Sequence, residues 1–547
     1  MYLWRINCTL LSTKKQINEK TKTMNIKKHI QKTLILIALT FSQTVFFANN
    51  IQVSNVSLTG QNTTSKYTMV KFDISWENSW RTSSHESNWD AAWIFVKFRR
   101  KTGRVWSHAS LNNDGHIAPD GTLITPGFPV VNQPFNPETN PAVGVFLYRK
   151  DNGQGDVNYT GVQLRWNYGI NDLDERDSVE VSVFAIEMVY IPEGSFYVGD
   201  GVGSGSNSPG HFVAGNTTNP FKIESENELT IGNENDTQLW GTSTQLDADN
   251  TIGPPGTLPA EFPKGFQSFY IMKYELSQYM YKEFLNKLTQ AQQTARIPIS
   301  VEGRFMSNNN NPIYRNGIQL LSIPGGNRPR KYGNNLNNEG VENDSADGQH
   351  IACNFLSFED LMAFADWSGL RPFTELEYEK ACRGPLYPIA DECAWRTTNM
   401  IWATGIDKSG MKDECATNIG ANIVINRTTG GPMRCGCFAN DTTNREQAGA
   451  TYYGVMEMSG NLLEYAYSVG TEDNRCFNGN NHGDGKIENN GKTNVIGWPD
   501  GAGLRGGGWY DYNINSQQVS SRYRASKVYK TGRDGSIGFR LARTQQP

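Results

Sequence analysis

The sequence is poor in charge for its length and has no long apolar run beyond its N-terminus. Charged residues make up 19% of 547, and no Lys/Arg run follows residue 48. Residues 1–48 carry a net charge of +7, which leaves −11 on the rest of a chain whose total is −4. An acidic chain of this kind has no general means of binding nucleic acid, and no later segment is apolar enough to span a membrane.

Disorder is excluded by the aromatic content. The chain has 13 Trp, 23 Tyr and 25 Phe residues, enough for real cores. Its length is too great for one ordinary core, which predicts two domains. Abundant Gly and Asn with few charges favour turns and long loops over helical arrays.

The N-terminus has the layout of a secretory signal. Residues 24–32 are basic, residues 33–41 are apolar, and residues 42–48 offer a cleavage region that ends at Ala48. The apolar run is too short to span a membrane, although a retained N-terminal anchor is the alternative. We therefore predict that residues 1–48 are an upstream extension and signal peptide. The mature protein is then secreted, periplasmic or on the cell surface.

Seven of the eight cysteines lie in one stretch of the predicted mature chain. They are Cys353, Cys382, Cys393, Cys415, Cys435, Cys437 and Cys476. Export permits disulfides, and an odd number leaves one thiol over. A metal site is the alternative, but the paired CxxC spacing of zinc knuckles is absent. The pattern therefore favours disulfides of undetermined connectivity.

Residues 49–185 show a period of two. Val70, Phe72, Ile74 and Trp76 alternate with polar residues, and so do the residues around Leu164. Strict alternation indicates strands with one buried and one solvated face, hence antiparallel sheets. Several such strands separated by Gly, Asn and Pro turns predict a β-sandwich accessory domain. Its tryptophans are interpreted as core residues, with a ligand platform as the alternative.

Residues 186–547 mix helix and strand signals with long polar loops. A strand is predicted over 269–275 and a helix over 277–288. Residues 201–265 are expected to form an extended surface insertion, and residues 306–349 an Asn-rich loop. Ser357 is predicted to cap one helix, and Thr374 with Glu377 has the spacing of a capping box for a second helix.

Five blocks in this region resemble, in order, those of the formylglycine-generating enzyme family, also called the sulfatase-modifying factor family. They are VYIPEGSFYVGD, GLRPFTELEYEKACRG, GVMEMSGNLLEY, RGGGW and GFRLAR. The resemblance covers residues 186–547 and implies an α+β, C-type-lectin-like core with large loops, here preceded by the all-β sandwich.

The resemblance does not extend to the family's thiol chemistry. Aerobic members use two cysteines after the fourth block to bind copper and to oxidise a sulfatase cysteine to formylglycine. Asp511 stands where the first of them would be, and no Cys follows Cys476. A carboxylate is a poor ligand for Cu(I) and cannot exchange with a thiol. The catalytic cysteine pair is therefore absent and copper is not expected.

The resemblance also implies calcium. Family members bind it through an Asn-Ile stretch and through the Asn and Glu of the third block, to which Asn422, Ile423, Asn461 and Glu464 correspond. Hard oxygen ligands in irregular loops suit Ca²⁺. The alternative is that Asn461 and Glu464 only cap and pair a turn.

A binding face is predicted where the family has its active-site groove. It consists of Trp509, Tyr510, Asp511, Tyr512, Asn513, Arg522, Tyr523 and Arg524, with Asn515 nearby. Tyr, Trp and Arg with Asn and Ser are typical of recognition surfaces, although Trp509 and Tyr523 could instead be core residues.

Three functional hypotheses follow. The leading one is a secreted, non-catalytic protein that binds a protein, peptide or glycan ligand. The first alternative is an oxidoreductase of the same family, acting on protein cysteine with altered active-site residues. The second alternative is a structural surface component whose sandwich anchors a larger assembly.

Overall fold

The computed structural model describes residues 50–201, 210–242 and 253–545. The described chain is a strand-rich α+β protein with few helices, which confirms the predicted fold class. Residues 1–48, the predicted extension and signal peptide, lie outside the described ranges. Among the described helices, none has the length and apolar character needed to cross a bilayer.

Long strands dominate the first part of the chain and short strands the remainder. The first part contains β1 (Gln52–Asn62), β2 (Tyr67–Arg81), β3 (Asp90–Arg100), β4 (Ser107–His108), β5 (Thr122–Gly127), β6 (Gly144–Arg149), β7 (Gly153–Trp166) and β8 (Val179–Ile191). The remainder contains β9 (Phe196–Val198), β10 (Phe212–Ala214), β11 (Phe221–Ile223), β12 (Leu229–Ile231), β13 (Leu239–Gly241), β14 (Gly256–Leu258), β15 (Phe269–Met272), β16 (Ile318–Ser322), β17 (Lys331–Asn334), β18 (Ile406–Asp407), β19 (Cys415–Ala416), β20 (Leu463–Ala466), β21 (Ala502–Arg505), β22 (Arg524–Tyr529), β23 (Ile537–Gly538) and β24 (Ala542–Thr544).

The helices are short and begin at polar caps. They are α1 (Gln278–Asn286), α2 (Gln290–Arg296), α3 (Phe358–Ser368), α4 (Glu375–Arg383) and α5 (Glu472–Arg475). Both predicted caps are confirmed, since the Ser357 and Thr374 hydroxyls accept the N–H groups of Asp360 and Glu377. The capping boxes close because the Asp360 and Glu377 carboxylates accept the cap residues' own N–H groups.

Two sheets pack face to face in the first part of the chain. One has the order β1-β2-β7, and the other has the order β24-β15-β8-β3-β6-β5, with β4 paired to β3. Val70, Phe72, Ile74 and Trp76 of β2 are buried between them, as their alternation predicted. Burying one face of β2 leaves the intervening Lys71 in solvent.

The larger sheet is buried on both faces because two cores lie against it. Along β3, Trp93 and Phe95 face the helices, whereas Ile94 and Val96 face the sandwich interior. The boundary predicted between residues 185 and 186 falls inside β8, whose sheet also contains β15 and β24 from the C-terminal region. The sandwich and the C-terminal core are therefore joined by one continuous sheet.

The polar segment 201–265 is not wholly an extended surface insertion, as the sequence suggested. Its described residues form the four-stranded sheet β10-β13-β12-β14. Phe212, Leu239 and Leu258 are fully buried and join the main core. Sparse apolar residues thus hold a polar segment in place. The Asn-rich loop 306–349 likewise contains the hairpin β16-β17.

A small mixed sheet carries the region of the predicted binding face. Its order is β22-β21-β20-β23, with β20 antiparallel to β21 and parallel to β23. The chain leaves β21 at Arg505 and enters the RGGGW block. The predicted face therefore begins at the end of a central strand.

Candidate binding face

The turn after β21 depends on glycine. Gly506 and Gly507 have φ values of 91° and 64°, in the left-handed region that side chains disfavour. A Cβ on Gly507 would lie 2.4 Å from the amide of Gln517. The close approach fixes the direction in which residues 509–517 leave the sheet.

Trp509 lies inside the protein. Only 2% of its surface is exposed, and its indole N–H donates to the Gly535 carbonyl at 2.9 Å. Its ring packs against that of Tyr314, with centroids 5.0 Å apart. Trp509 therefore anchors the segment, and the two tyrosines that follow it are displayed.

Tyr510 and Tyr512 are exposed and share one arginine. Their exposed fractions are 38% and 63%. The guanidinium carbon of Arg427 lies 3.3 Å from the ring centroid of Tyr510 and 4.2 Å from that of Tyr512. Tyr314, 41% exposed, borders Tyr510. We call Tyr314, Arg427, Tyr510 and Tyr512 the tyrosine face.

Main-chain hydrogen bonds hold Arg427 in this position. Its N–H donates to the Trp509 carbonyl at 2.8 Å, and its Nε donates to the Tyr510 carbonyl at 3.0 Å. Neither Arg427 nor Tyr314 was singled out in the sequence, because each lies far along the chain from residue 510. Only the fold brings them to the tyrosines.

The Asp511 side chain is engaged by its own loop. Oδ2 accepts the Gly508 N–H at 3.0 Å and the Ser516 hydroxyl at 3.4 Å, and Oδ1 accepts Arg524 at 3.3 Å. Asn513 is exposed, and its side chain accepts the N–H of Asn515 at the start of a 3-10 turn. Both residues shape the segment that carries Tyr512.

The three residues predicted around position 523 separate in the structure. Tyr523 and Arg524 are half-buried, with the guanidinium of Arg524 5.4 Å from the Tyr523 ring. Arg522 is fully buried and donates to Glu375 at 2.9 and 3.0 Å. Arg522 therefore belongs to the interior of the protein.

Arg522 is part of a buried ion network. Glu375 also accepts Arg505 at 2.9 Å, and Arg505 reaches Glu379 at 2.8 Å. Burial favours the neutral form of Glu375, but Arg522 and Arg505 outweigh it and lower its pKa. The network fixes α4 against β21, directly below the glycine turn.

The residues predicted to bind calcium are engaged with protein partners. The Asn461 side-chain oxygen accepts the Met433 N–H at 2.8 Å, and its amide donates to Glu275. Both oxygens of Glu464 accept Arg540 at 2.6 Å.

The other predicted pair is held in the same way. Asn422 accepts the Ile401 N–H through its side chain, and the Ile423 carbonyl accepts the Ala403 N–H, each at 2.9 Å. Ca²⁺ takes six to eight oxygen ligands. In this arrangement the oxygens of all four residues accept N–H groups or an arginine.

The cysteines are free thiols throughout the described chain, so the predicted disulfides are not seen. Burial raises the pKa of Cys353 and of Cys382, and it raises that of Cys393 to about 12. A thiol with such a pKa is not a nucleophile at neutral pH. Across the described ranges, no group of three or more His, Cys, Asp or Glu side chains could hold a metal ion.

A family model described as the sulfatase-modifying factor enzyme 1-like domain matches residues 179–545. The match begins at the first residue of β8 and ends at the last described residue. None of the curated proteins compared with the chain matches it. Because the family model spans about two thirds of the sequence, the chain belongs to the sulfatase-modifying factor family.

Proposed function

We propose that this chain is a non-catalytic binding protein of the sulfatase-modifying factor family, with a lectin-like core. Its ligand is a protein, a peptide or a glycan, recognised by the tyrosine face. The observation that carries the proposal is the stacking of Arg427 against two exposed tyrosines.

The composition of the tyrosine face supports recognition. Tyr and Arg are enriched among the residues that dominate binding energy, because they combine apolar area with hydrogen bonding. Main-chain bonds already hold Arg427, and Trp509 is buried beneath. Side chains ordered before binding lose less entropy when a ligand arrives.

The surroundings of Asp511 argue against formylglycine chemistry. The Gly508 N–H, the Ser516 hydroxyl and Arg524 all donate to this carboxylate. A carboxylate can neither exchange with a substrate thiol nor bind Cu(I) well. Cys353, Cys382 and Cys393, whose pKa values are raised by burial, are also removed from solvent.

The binding proposal is tested with two probes, a displayed library of random dodecapeptides and a printed glycan array. Tyr512→Ala and Arg427→Ala should each weaken a selected ligand by tenfold or more, while the melting temperature falls by no more than about 4 °C. Tyr387→Ala is the matched control, because Tyr387 is 58% exposed and contacts another tyrosine rather than an arginine. If the control weakens binding equally, or neither probe yields a ligand sensitive to Tyr512, the proposal fails.

The enzymatic alternative is tested separately. The protein is incubated with a sulfatase-derived cysteine peptide, copper and oxygen, and the peptide mass is followed by mass spectrometry. We expect an unchanged mass. Conversion of cysteine to the aldehyde would establish an oxidoreductase that works without the family's cysteine pair.

Export is part of the proposal, motivated by the basic and apolar segments before Ala48. N-terminal sequencing of the protein recovered outside the cytoplasm should begin near Asn49. A chain that still carries Met24 would contradict it.

Calcium binding remains a prediction of the family resemblance. The melting temperature is compared with and without a chelator, since a ligand of the native state stabilises it by mass action. A chelator-induced decrease that disappears in Asn461→Ala would support calcium, with the side-chain bonds of Asn461 rearranged around the ion. Equal melting in both conditions would leave Asn461 and Glu464 as structural partners only.

A further inference from the structure

A cleft unrelated to the tyrosine face opens between β1, β8 and α1. Its volume is about 740 Å³, within the range of sites that hold ligands. Val53 and Val56 of β1 line one side, Val181 and Ala185 of β8 line another, and Met280 of α1 borders it. The tyrosine face contributes no residue to it.

One wall of the cleft is the edge of a sheet. In β8, the Tyr190 N–H donates toward β3, to the Trp89 carbonyl, whereas the Glu187 carbonyl accepts the Lys273 N–H on the opposite side. Main-chain groups alternate between the two edges of an antiparallel strand. Val181, Val183 and Ala185 lie six, four and two residues before Glu187 in the strand. Their N–H and C=O groups therefore point to the same side as those of Glu187, away from β3.

No strand of the described chain pairs with these three residues on that side. β15 pairs with β8 only from Met188 to Ile191, and the main-chain groups of Val181, Val183 and Ala185 have no other partner among the described residues. An unpaired row of donors and acceptors is a template for a further strand. β1, across the cleft, is also the edge of its sheet.

This edge is recessed, so that only a single extended strand can reach it. Ala185 is only 5% exposed, and α1 and the segment 343–350 flank the opening. A whole folded domain, including a second copy of this chain, cannot bring its own sheet edge against a recessed one. An extended peptide segment can enter and use the main-chain groups directly.

The lining of the cleft favours an apolar segment. Its Glu187 and Glu283 pair with Lys273 and Lys282 at 3.1 and 2.7 Å, and burial raises the pKa of Glu275 well above its usual value. Burial, together with Arg434 and Lys412, lowers the pKa of the lining His350 to about 4, so it carries no charge at neutral pH. Oε1 of the buried Glu187 has no hydrogen-bond partner in the described structure.

We propose that this cleft binds an extended, apolar peptide segment of another protein, which adds as a strand to the free edge of β8. Main-chain hydrogen bonds to Val181, Val183 and Ala185 supply the affinity. Alternate apolar side chains of the peptide lie against the valines of the cleft.

The test uses displayed random octapeptides, selected on the full chain and counter-selected on Val183→Pro. Proline removes the N–H that faces the cleft but no bond to β3, and edge positions tolerate it. Val183→Thr is the matched control, since it keeps the N–H and nearly the same volume. Affinities of selected peptides are measured by fluorescence anisotropy, with melting temperatures recorded for each variant.

Selected peptides should alternate apolar residues and bind Val183→Thr like the unmodified chain. They should lose at least tenfold in affinity for Val183→Pro. Methylating alternate amides of the peptide should abolish binding, a result that does not depend on the folding of any variant. Tyr512→Ala should have no effect, which separates this site from the tyrosine face.

Three results would overturn the proposal. The first is that every library peptide that binds the unmodified chain also binds Val183→Pro, or that no peptide binds at all. The second is binding that persists after amide methylation, because the peptide would then not add as a strand. The third is concentration-dependent self-association that Val183→Pro abolishes, which would assign the edge to a second copy of the chain.

Discussion

Two arginines of this fold have opposite surroundings. Arg522 is fully buried between carboxylates and holds α4 against β21, whereas Arg427 lies at the surface against two tyrosines. The interior arginine has its charge neutralised by Glu375, and the surface arginine stacks on rings that remain open to a ligand. The same side-chain chemistry thus serves stability at one position and, in the function proposed above, recognition at the other.

The largest expected effect is on the interior site. Arg522→Ala should lower the free energy of unfolding by about 3–5 kcal/mol, because Glu375 would be left buried with one guanidinium fewer. Urea denaturation measures it. Arg524→Ala is the control: its side chain is 29% exposed and its ion pair with Asp511 spans 3.3 Å, so a loss below about 1 kcal/mol is expected. Equal losses of unfolding free energy in the two variants would mean that the burial of Arg522 does not set it apart from a partly exposed arginine.

Trp509, the buried residue next to Tyr510, should give the next effect. Trp509→Phe removes the indole N–H and leaves the Gly535 carbonyl without that donor, at a cost of about 1–3 kcal/mol. Trp402→Phe is the matched control, because Trp402 is 40% exposed and should change stability by less than about 0.5 kcal/mol. If Trp509→Phe is equally neutral in urea denaturation, the tyrosine face does not rest on that anchor.

The interior site should also respond to acid. The native pKa of Glu375 lies below its unfolded value, so its contribution to stability is present above about pH 4.3. That contribution is lost as pH falls through the native pKa, at no more than about 1.4 kcal/mol per pH unit. The difference in unfolding free energy between the unmodified protein and Glu375→Gln should therefore shrink below pH 4.3. A difference that stays constant down to pH 2.5 would contradict the assignment.

The smallest effect is expected at the surface. In a double-mutant cycle, Arg427→Ala and Tyr512→Ala should show a coupling energy of about 0.5–1 kcal/mol in unfolding, typical of an exposed cation–π contact. A coupling above about 2 kcal/mol would mean that the tyrosine face serves stability. It would then resemble the interior site rather than contrast with it.

Regular patterns in the sequence predicted the regular elements well. Alternation placed Val70, Phe72, Ile74 and Trp76 on the buried face of β2, and the capping boxes located the first turns of α3 and α4. Both signals are local, because side-chain period and cap spacing follow from backbone geometry alone. The predicted strand at 269–275 and helix at 277–288 formed with shorter bounds, Phe269–Met272 and Gln278–Asn286.

Sparse apolar residues were the weaker signal. In the segment 201–265, isolated residues such as Phe212 and Leu258 looked like part of a polar insertion but are fully buried. Their strands have only three residues each, too few to show a period. The sheet that joins the sandwich to the C-terminal core was also invisible, because pairing between β8 and β15 depends on residues about 80 positions apart.

The sequence by itself determined the strand-rich α+β class, the helix caps, the family, and the absence of a cysteine after Cys476. These depend on residue identity and short-range spacing. Only the tertiary structure decided that Arg522 is interior, that Arg427 joins Tyr510 and Tyr512, and that no described strand pairs with residues 181–185 of β8 on the side away from β3. An arginine is equally suited to a carboxylate or to an aromatic ring, so its neighbours, which the fold brings from distant parts of the chain, decide its role.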